Sequence, residues 1–222
     1  MFKGIVFSVF ALGLSMVVFL PRIVAQTATE AVKESKTMVT DQDAVKAALN
    51  VGAKMPSFSL KDSSGKVVSS KELLKQGNLV IVFYRGAWCP FCNLYLHKLQ
   101  TRLKDITDAG GKLVAISVED PDASMAVAKK NDVLFTVLSD PQLETARKFK
   151  IVYQLPDTTD TLYKSRGLDI AKHNEMERPE LPLAATYIVN KKGKIVYAFL
   201  DTDYKKRAEP DVTIENLKKI NK

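Results

Sequence analysis

LVIVFYRGAWCPFCNLYLHKLQTRL, residues 79–103, contains both cysteines of the 222-residue chain. Leu79 to Tyr84 is a run of aliphatic and aromatic residues rich in β-branched side chains, the pattern of a strand buried on both faces. The period then changes. Cys92, Leu96, Leu99, Leu103 and Ile106 are spaced four, three, four and three apart, which is one face of a helix. A strand therefore passes into a helix with Cys89-Pro90-Phe91-Cys92 at the junction. Pro90 suits the first helical position, where its missing N–H removes a donor that would have no partner, so Cys89 falls at the N-cap. The free N–H groups and the positive end of the helix dipole favour a thiolate there. Cys89 is accordingly expected to be the acidic, reactive sulfur, open to solvent, with Cys92 one turn inside. Two intervening residues in a helical first turn place the Cα atoms within the roughly 4.4–6.8 Å that a disulfide accepts. The pair can then open and close without the scaffold rearranging, provided the sulfurs are reachable and do not point apart.

Two other uses of the cysteines are weaker. A static disulfide across so short a loop restrains little of the unfolded chain. A structural zinc site needs four ligands, and only His97 and His173 could join the sulfurs. No cofactor and no metal is expected. Lys and Arg number 33 against 25 Asp and Glu, a net charge of +8. The excess collects at Lys191-Lys192 with Lys194, at Lys205-Lys206-Arg207, and at Lys218-Lys219 with Lys222, without the interleaved aromatics of a nucleic-acid groove. These clusters read as solvated surface, and no nucleic-acid partner is expected.

Met1-Phe2-Lys3, an apolar stretch from Ile5 to Leu20 and a small residue at Ala25 have the layout of a secretory signal over residues 1–25. The stretch is marginal in length as a membrane span, so an uncleaved anchor is the alternative. Either way the domain is expected to be exported, into a bacterial periplasm or beyond, with membrane contact only through this segment. Residues 26–50 are rich in Ala, Thr, Lys, Glu and Asp and read as a flexible linker, with room for a turn or two of helix from Ala44 to Leu49. The folded domain is expected over residues 51–222. A hairpin is predicted over residues 55–69, turning at Asp62-Ser63-Ser64-Gly65, and a short helix from Ser70. Beyond the CxxC helix, which Ala109-Gly110-Gly111 should end, strands are predicted over 112–118 and 135–138, with helices over 122–131 and 141–149. This alternation argues a parallel core with crossover connections. Two antiparallel strands over 186–189 and 194–200, joined at Asn190-Lys191-Lys192-Gly193, precede a closing helix over 211–220. Residues 153–182 are polar, contain three prolines and resist assignment beyond a helix near 159–164.

A strand, then W-C-P-x-C at a helix start, then βαβ, a hairpin and a helix resembles the thioredoxin fold: α/β, a central mixed sheet flanked by helices, here with an N-terminal hairpin extension. Pro56-x-Phe58-x-Leu60-x-Asp62-x-x-Gly65, Val82-Phe83-Tyr84-Arg85-Gly86 with Trp88-Cys89-Pro90-Phe91-Cys92, and Leu138-Ser139-Asp140-Pro141 resemble the peroxiredoxin-like branch, the AhpC/TSA or redoxin family. The runs from Leu181 to Val189 and Asp201-x-Asp203-Tyr204-x-x-Arg207-x-Glu209-Pro210 are similar to its CxxC-containing subgroup. Peroxiredoxins proper resemble P-x-x-x-T-x-x-C, in which the threonine and an arginine from a later strand hold the peroxide beside the attacking cysteine. Matched on Phe83-Tyr84, Cys92 takes the attacking position, Cys89 replaces the threonine and Arg85 the proline. Thioredoxin-like reductases instead attack with the first cysteine, so the two resemblances disagree about which sulfur acts. Ala184 stands where reductases carry a cis-proline and peroxiredoxins often an arginine.

The resemblance implies an exported, thioredoxin-dependent antioxidant peroxidase that reduces hydroperoxides through a CxxC dithiol–disulfide cycle, reopened by a thioredoxin-like dithiol. Cys89, Cys92 and Arg85 are the candidate catalytic residues, with Trp88 and Tyr84 as candidate substrate contacts, Tyr84 being read alternatively as core or pocket wall. Arg85 can lower a thiolate pKa or hold a peroxide oxygen, or it is an ordinary surface arginine. His97 is read as surface. The alternatives are a thiol:disulfide oxidoreductase of the exported reductase type and, less favoured, a copper chaperone, whose only histidine candidate is His173.

Overall fold

The protein is described by a computed structural model covering Met1 and residues 38–220. The rest of the expected signal segment and residues 26–37 of the expected linker lie outside the described residues. In chain order, α1 (Asp41–Ala47) leads to a hairpin of β1 (Ser59–Asp62) and β2 (Val67–Ser69), then α2 (Ser70–Gln76) and β3 (Asn78–Tyr84). There follow α3 (Pro90–Thr101), α4 (Leu103–Asp108), β4 (Gly111–Ser117), α5 (Pro121–Lys130), β5 (Thr136–Ser139) and α6 (Glu144–Lys148). The chain finishes with β6 (Val152–Gln154), α7 (Asp157–Ser165), α8 (Ile170–His173), β7 (Glu180–Pro182), β8 (Thr186–Val189), β9 (Ile195–Phe199) and α9 (Pro210–Ile220).

All seven residues of β3 are buried, as a strand covered on both faces requires. It pairs in parallel with β4 from Asn78↔Gly111 to Tyr84↔Ser117, and antiparallel with β8 on its other side. The main sheet runs β2-β1-β5-β4-β3-β8-β9. It is mixed, because β5 joins β4 in parallel while β1 joins β5 and β9 joins β8 antiparallel. This is the mixed α/β sheet expected for a thioredoxin fold, with the N-terminal hairpin built into one edge. Alternate residues of β3 enter different halves of the core. Leu79, Ile81 and Phe83 pack with Leu73, Phe149 and Tyr187. Val80, Val82 and Tyr84 pack with Leu96, Leu99, Ile106, Leu217 and both cysteines.

Three expectations change. Residues 41–47, read as linker, form α1: Thr40 caps it by accepting the Asp43 N–H, and Asp43 returns a bond to the Thr40 N–H. Ala44, 1% exposed, joins the core, and the Leu49 N–H donates to the Phe149 carbonyl. Small alanines give α1 no wide apolar stripe, so periodicity could not reveal a helix that docks through so narrow a contact. The helix after the cysteines, read as continuous through Ile106, is divided at Arg102. There the N–H turns back to the Leu99 carbonyl at 3.2 Å, and the guanidinium pairs with Asp105 at 2.7 Å and with Asp211 of α9 at 2.6 Å. Residues 153–182 are an ordered excursion. β6 and β7 pair antiparallel at its base from Val152↔Pro182 to Gln154↔Glu180, and α7 and α8 fill the crossing. Tyr153, Leu155, Ile170 and Leu181 bury its inner side. Among the described residues no helix is long and apolar enough to cross a membrane.

If α1 is part of the folded unit, Ala44→Leu overfills its contact and should lower stability by about 1–3 kcal/mol in urea unfolding. An unchanged midpoint would return residues 41–47 to the status of a linker.

Candidate active site

Where β3 ends, the chain turns through Arg85-Gly86-Ala87-Trp88 and starts α3 with Cys89 at the N-cap and Pro90 at the first helical position, the local structure that the sequence dictates. Gly86 makes the turn possible. Its φ of +140° disfavours any side chain, and a Cβ there would lie 2.6 Å from Trp88 Nε1 and 2.8 Å from Glu119 Oε1. The turn is held by Glu119, whose Oε2 accepts the Ala87 N–H at 2.8 Å, and by Asn93, whose Nδ2 donates to the Ala87 carbonyl at 2.8 Å. Glu119 Oε1 lies 3.3 Å from His173 Nε2 of α8. Burial raises the Glu119 carboxyl above its ordinary value, against the lowering effect of the Ala87 N–H and His173.

The two sulfurs lie 2.7 Å apart and share a hydrogen bond, so they point together and are placed to bond. Their environments differ from the expectation in two ways. Cys89 is 1% exposed and Cys92 0%; the expected openness of Cys89 is corrected, and of the two conditions set for a redox pair the sulfurs meet one, pointing together, and fail the other, being reachable from solvent in this form. Half-buried Trp88 and Tyr204, distant in sequence, pack against the cluster that contains both sulfurs. The expected order of acidity is also reversed. For Cys89, the hydrogen bond with Cys92 and then burial push the thiol far up. For Cys92, burial opposes the charge, but the bond from Cys89, the Arg207 guanidinium, the Arg85 backbone N–H and the Arg85 charge outweigh it and hold the thiol below its ordinary value. With Arg207 Nη2 at 3.4 Å from its sulfur, Cys92 is the better placed of the two to carry a negative charge. A helix terminus alone favours the N-cap sulfur; two arginines decide otherwise.

Arg85 is 1% exposed, so the reading of it as a surface residue is overturned. Its guanidinium lies 4.0 Å from the ring centre of Tyr204, 4.8 Å from Trp88 and 5.6 Å from Tyr163, and its Nη2 donates to Tyr163 Oη at 2.8 Å. No carboxylate pairs with it among the described residues. Aromatic faces and the thiolate supply its negative environment. Arg207 reaches the sulfur from the segment between β9 and α9, with Nη2 at 3.4 Å from Cys92 Sγ. That segment is anchored by Tyr95, whose hydroxyl donates to the Ala208 carbonyl at 2.7 Å, and by the Lys98–Glu209 ion pair.

Trp88 lies beside Arg85, its ring centre 4.8 Å from the guanidinium. Tyr84 is fully buried in the core cluster that includes both sulfurs, which fits the reading of it as core and not as a substrate contact. His97 is exposed. The segment at Leu183-Ala184-Ala185 is buried, and the described residues have no cis peptide bond. Among them no three His, Cys, Asp or Glu side chains gather as a metal site. The residues that sequence reading did not assign are Arg207, Tyr204, Tyr163 and Glu119. Arg207 and Tyr204 stood in a quoted motif without a role, and Glu119 carried one signal, a charge directly after a buried strand.

A sulfur that is charged inside the protein, beside a protonated partner within bonding reach, is built to exchange bonds at sulfur. Fold and site together define a thiol-dependent oxidoreductase of the peroxiredoxin-like branch of the thioredoxin fold. The chain belongs to the AhpC/TSA family, whose pattern matches residues 51–198. It is 27% identical over 174 residues to the chloroplastic peroxiredoxin Q of Populus jackii, covering 78% of this chain and 70% of that one. To the peroxiredoxin Bcp of Escherichia coli it is 31% identical over 104 residues, covering 46% and 65%. In fold it is similar to the crystal structure of peroxidoxin BcpB from Mycobacterium tuberculosis, with a TM-score of 0.62 at 19% identity, covering 78% of this chain and 98% of that one.

Thiolate absorbance near 240 nm should rise with a midpoint below the ordinary thiol value in the wild type and be absent from that range in Cys92→Ser. Arg207→Leu removes a cation that favours the charged form, so its midpoint should move up toward the ordinary thiol value of roughly 8.5. A midpoint that stays in place in Arg207→Leu, or that disappears with Cys89→Ser and persists in Cys92→Ser, would overturn the assignment.

Proposed function

We propose that the chain is an exported thiol peroxidase in which Cys92 attacks a hydroperoxide and Cys89 resolves the product as a disulfide, reopened by a thioredoxin-like dithiol. The observation that carries this reading is the Arg207 guanidinium at 3.4 Å from Cys92 Sγ, with the charge of Arg85 also lowering the Cys92 thiol. The thiolate attacks the terminal oxygen of ROOH; the O–O bond breaks, an S–O bond forms, and the departing RO⁻ takes a proton to leave as ROH. Sulfur is oxidised by two electrons to a sulfenic acid. The Cys89 thiol then displaces its oxygen, which leaves as water with the Cys89 proton, and the S–S bond closes. An external dithiol opens it by exchange through a mixed disulfide. Arg207 and Arg85 supply positive charge where the peroxide oxygens become negative.

Burial supports a small oxidant. A peroxide needs only a passage, and a groove of about 420 Å³ lined by Phe91, Leu94, Tyr95, Phe199 and Arg207 adjoins the pair. Arg207 belongs both to that groove and to the Cys92 contact. Export rests on the charged, apolar and small-residue layout of residues 1–25.

Peroxide consumption with an added dithiol should be abolished in Cys92→Ser. Cys89→Ser should still consume about one equivalent of peroxide per chain and then stop as a trapped sulfenic acid, detectable by dimedone labelling. Turnover that persists in Cys92→Ser, or a sulfenic acid that forms on Cys89, would reject this division of labour.

A further inference from the structure

A second concave site lies at the far end of the sheet from the sulfurs. Lys54, Met55 and Ser57 before β1, Ser70, Lys71, Leu74 and Lys75 on α2, and Lys191-Lys192-Gly193 in the β8–β9 turn surround a cavity of about 520 Å³. The turn lies beside the start of β3, where Val189 pairs with Leu79, whereas the cysteines follow its end. Seven residues of strand put roughly 20 Å between the two sites.

The walls are fixed by bonds between segments distant in sequence. The Met55 N–H donates to the Gly193 carbonyl at 2.8 Å, the Ser70 N–H to the Phe58 carbonyl at 2.9 Å, and the Lys191 N–H to Asn78 Oδ1 at 3.1 Å. Five lysines line the cavity and no carboxylate does. All five are exposed, and the ion pairs among the described residues include none of them. Five like charges around one hollow repel one another, and a multiply charged anion between them relieves that repulsion. A phosphate ester carries close to two charges at neutral pH and offers three acceptor oxygens, and ammonium groups bind phosphate as point charges. Met55 and Leu74 add apolar surface for an organic group. No aromatic ring lines the cavity, so it lacks the stacking platform that single-stranded nucleic acids use.

We propose that this lysine-lined cavity is a binding site for a phosphate ester, independent of the redox pair, in which Lys54, Lys71, Lys75, Lys191 and Lys192 hold the phosphate and Met55 and Leu74 contact the group it esterifies. A soluble phosphate monoester and a lipid headgroup that is itself a phosphate monoester, as in phosphatidic acid, share this chemistry, and the test separates them.

The full chain and its double variant Lys71→Glu/Lys191→Glu are titrated with inorganic pyrophosphate and followed by thermal melting at constant ionic strength. Both are also sedimented with vesicles of phosphatidylcholine containing phosphatidic acid or of phosphatidylcholine alone. The wild type should show a saturable rise in melting temperature that sodium chloride does not reproduce, with affinity in the variant weakened about tenfold or more, while the unliganded melting temperatures agree. Pyrophosphate binding without variant-dependent vesicle retention assigns the site to a soluble ester. Retention on phosphatidic acid vesicles that falls in the variant assigns it to a headgroup. The proposal is overturned if neither probe distinguishes wild type from variant, or if chloride gives the same rise as pyrophosphate.

Discussion

The site depends on one negative charge placed where the protein would otherwise hold two cations without a carboxylate. Arg85 is buried among Trp88, Tyr163 and Tyr204, and Arg207 stands at 3.4 Å from Cys92 Sγ. A buried guanidinium is costly unless something negative faces it, and a buried thiolate is costly unless something positive does. Each settles the other. The proton that Cys92 gives up is matched by the one Cys89 keeps, since two sulfurs at this distance cannot both be charged without strong repulsion. The acidic sulfur is therefore chosen by the geometry of the arginines, against the preference of the helix terminus for the N-cap sulfur.

The same charge connects chemistry to packing. Three segments meet over the sulfurs: the turn after β3 with Trp88, α7 with Tyr163, and the chain between β9 and α9 with Tyr204 and Arg207. Glu119 and Asn93 keep the turn itself fixed through Ala87, and the close approach at Gly86 leaves that turn no alternative path.

The excursion over residues 152–182 shows how an irregular stretch becomes part of such a site. Its base is a two-stranded hairpin, its inner side is held by Tyr153, Leu155, Ile170 and Leu181, and it delivers Tyr163 to Arg85 and His173 to Glu119. Nothing in the local sequence marks those contacts. Its short helices lack a wide apolar stripe because the cover they make is thin and half exposed.

The sequence by itself determined what depends on near neighbours. The apolar run Leu79–Tyr84 reads as a doubly buried strand, the change of period after Trp88 as a helix, and Pro90 puts Cys89 at the N-cap; each follows from steric and hydrogen-bond rules that act over a few residues. The order of strands followed in outline from alternation and from the family resemblance. Only the tertiary structure decided which sulfur is charged, because Arg207 lies 115 positions from Cys92 and Arg85 is buried by rings contributed from residues 88, 163 and 204. It also decided that Lys191 and Lys192, which read as dispersed surface charge, share a cavity with Lys54, Lys71 and Lys75. Electrostatic fields sum over whatever the fold brings close, and closeness in space is what a linear pattern does not contain.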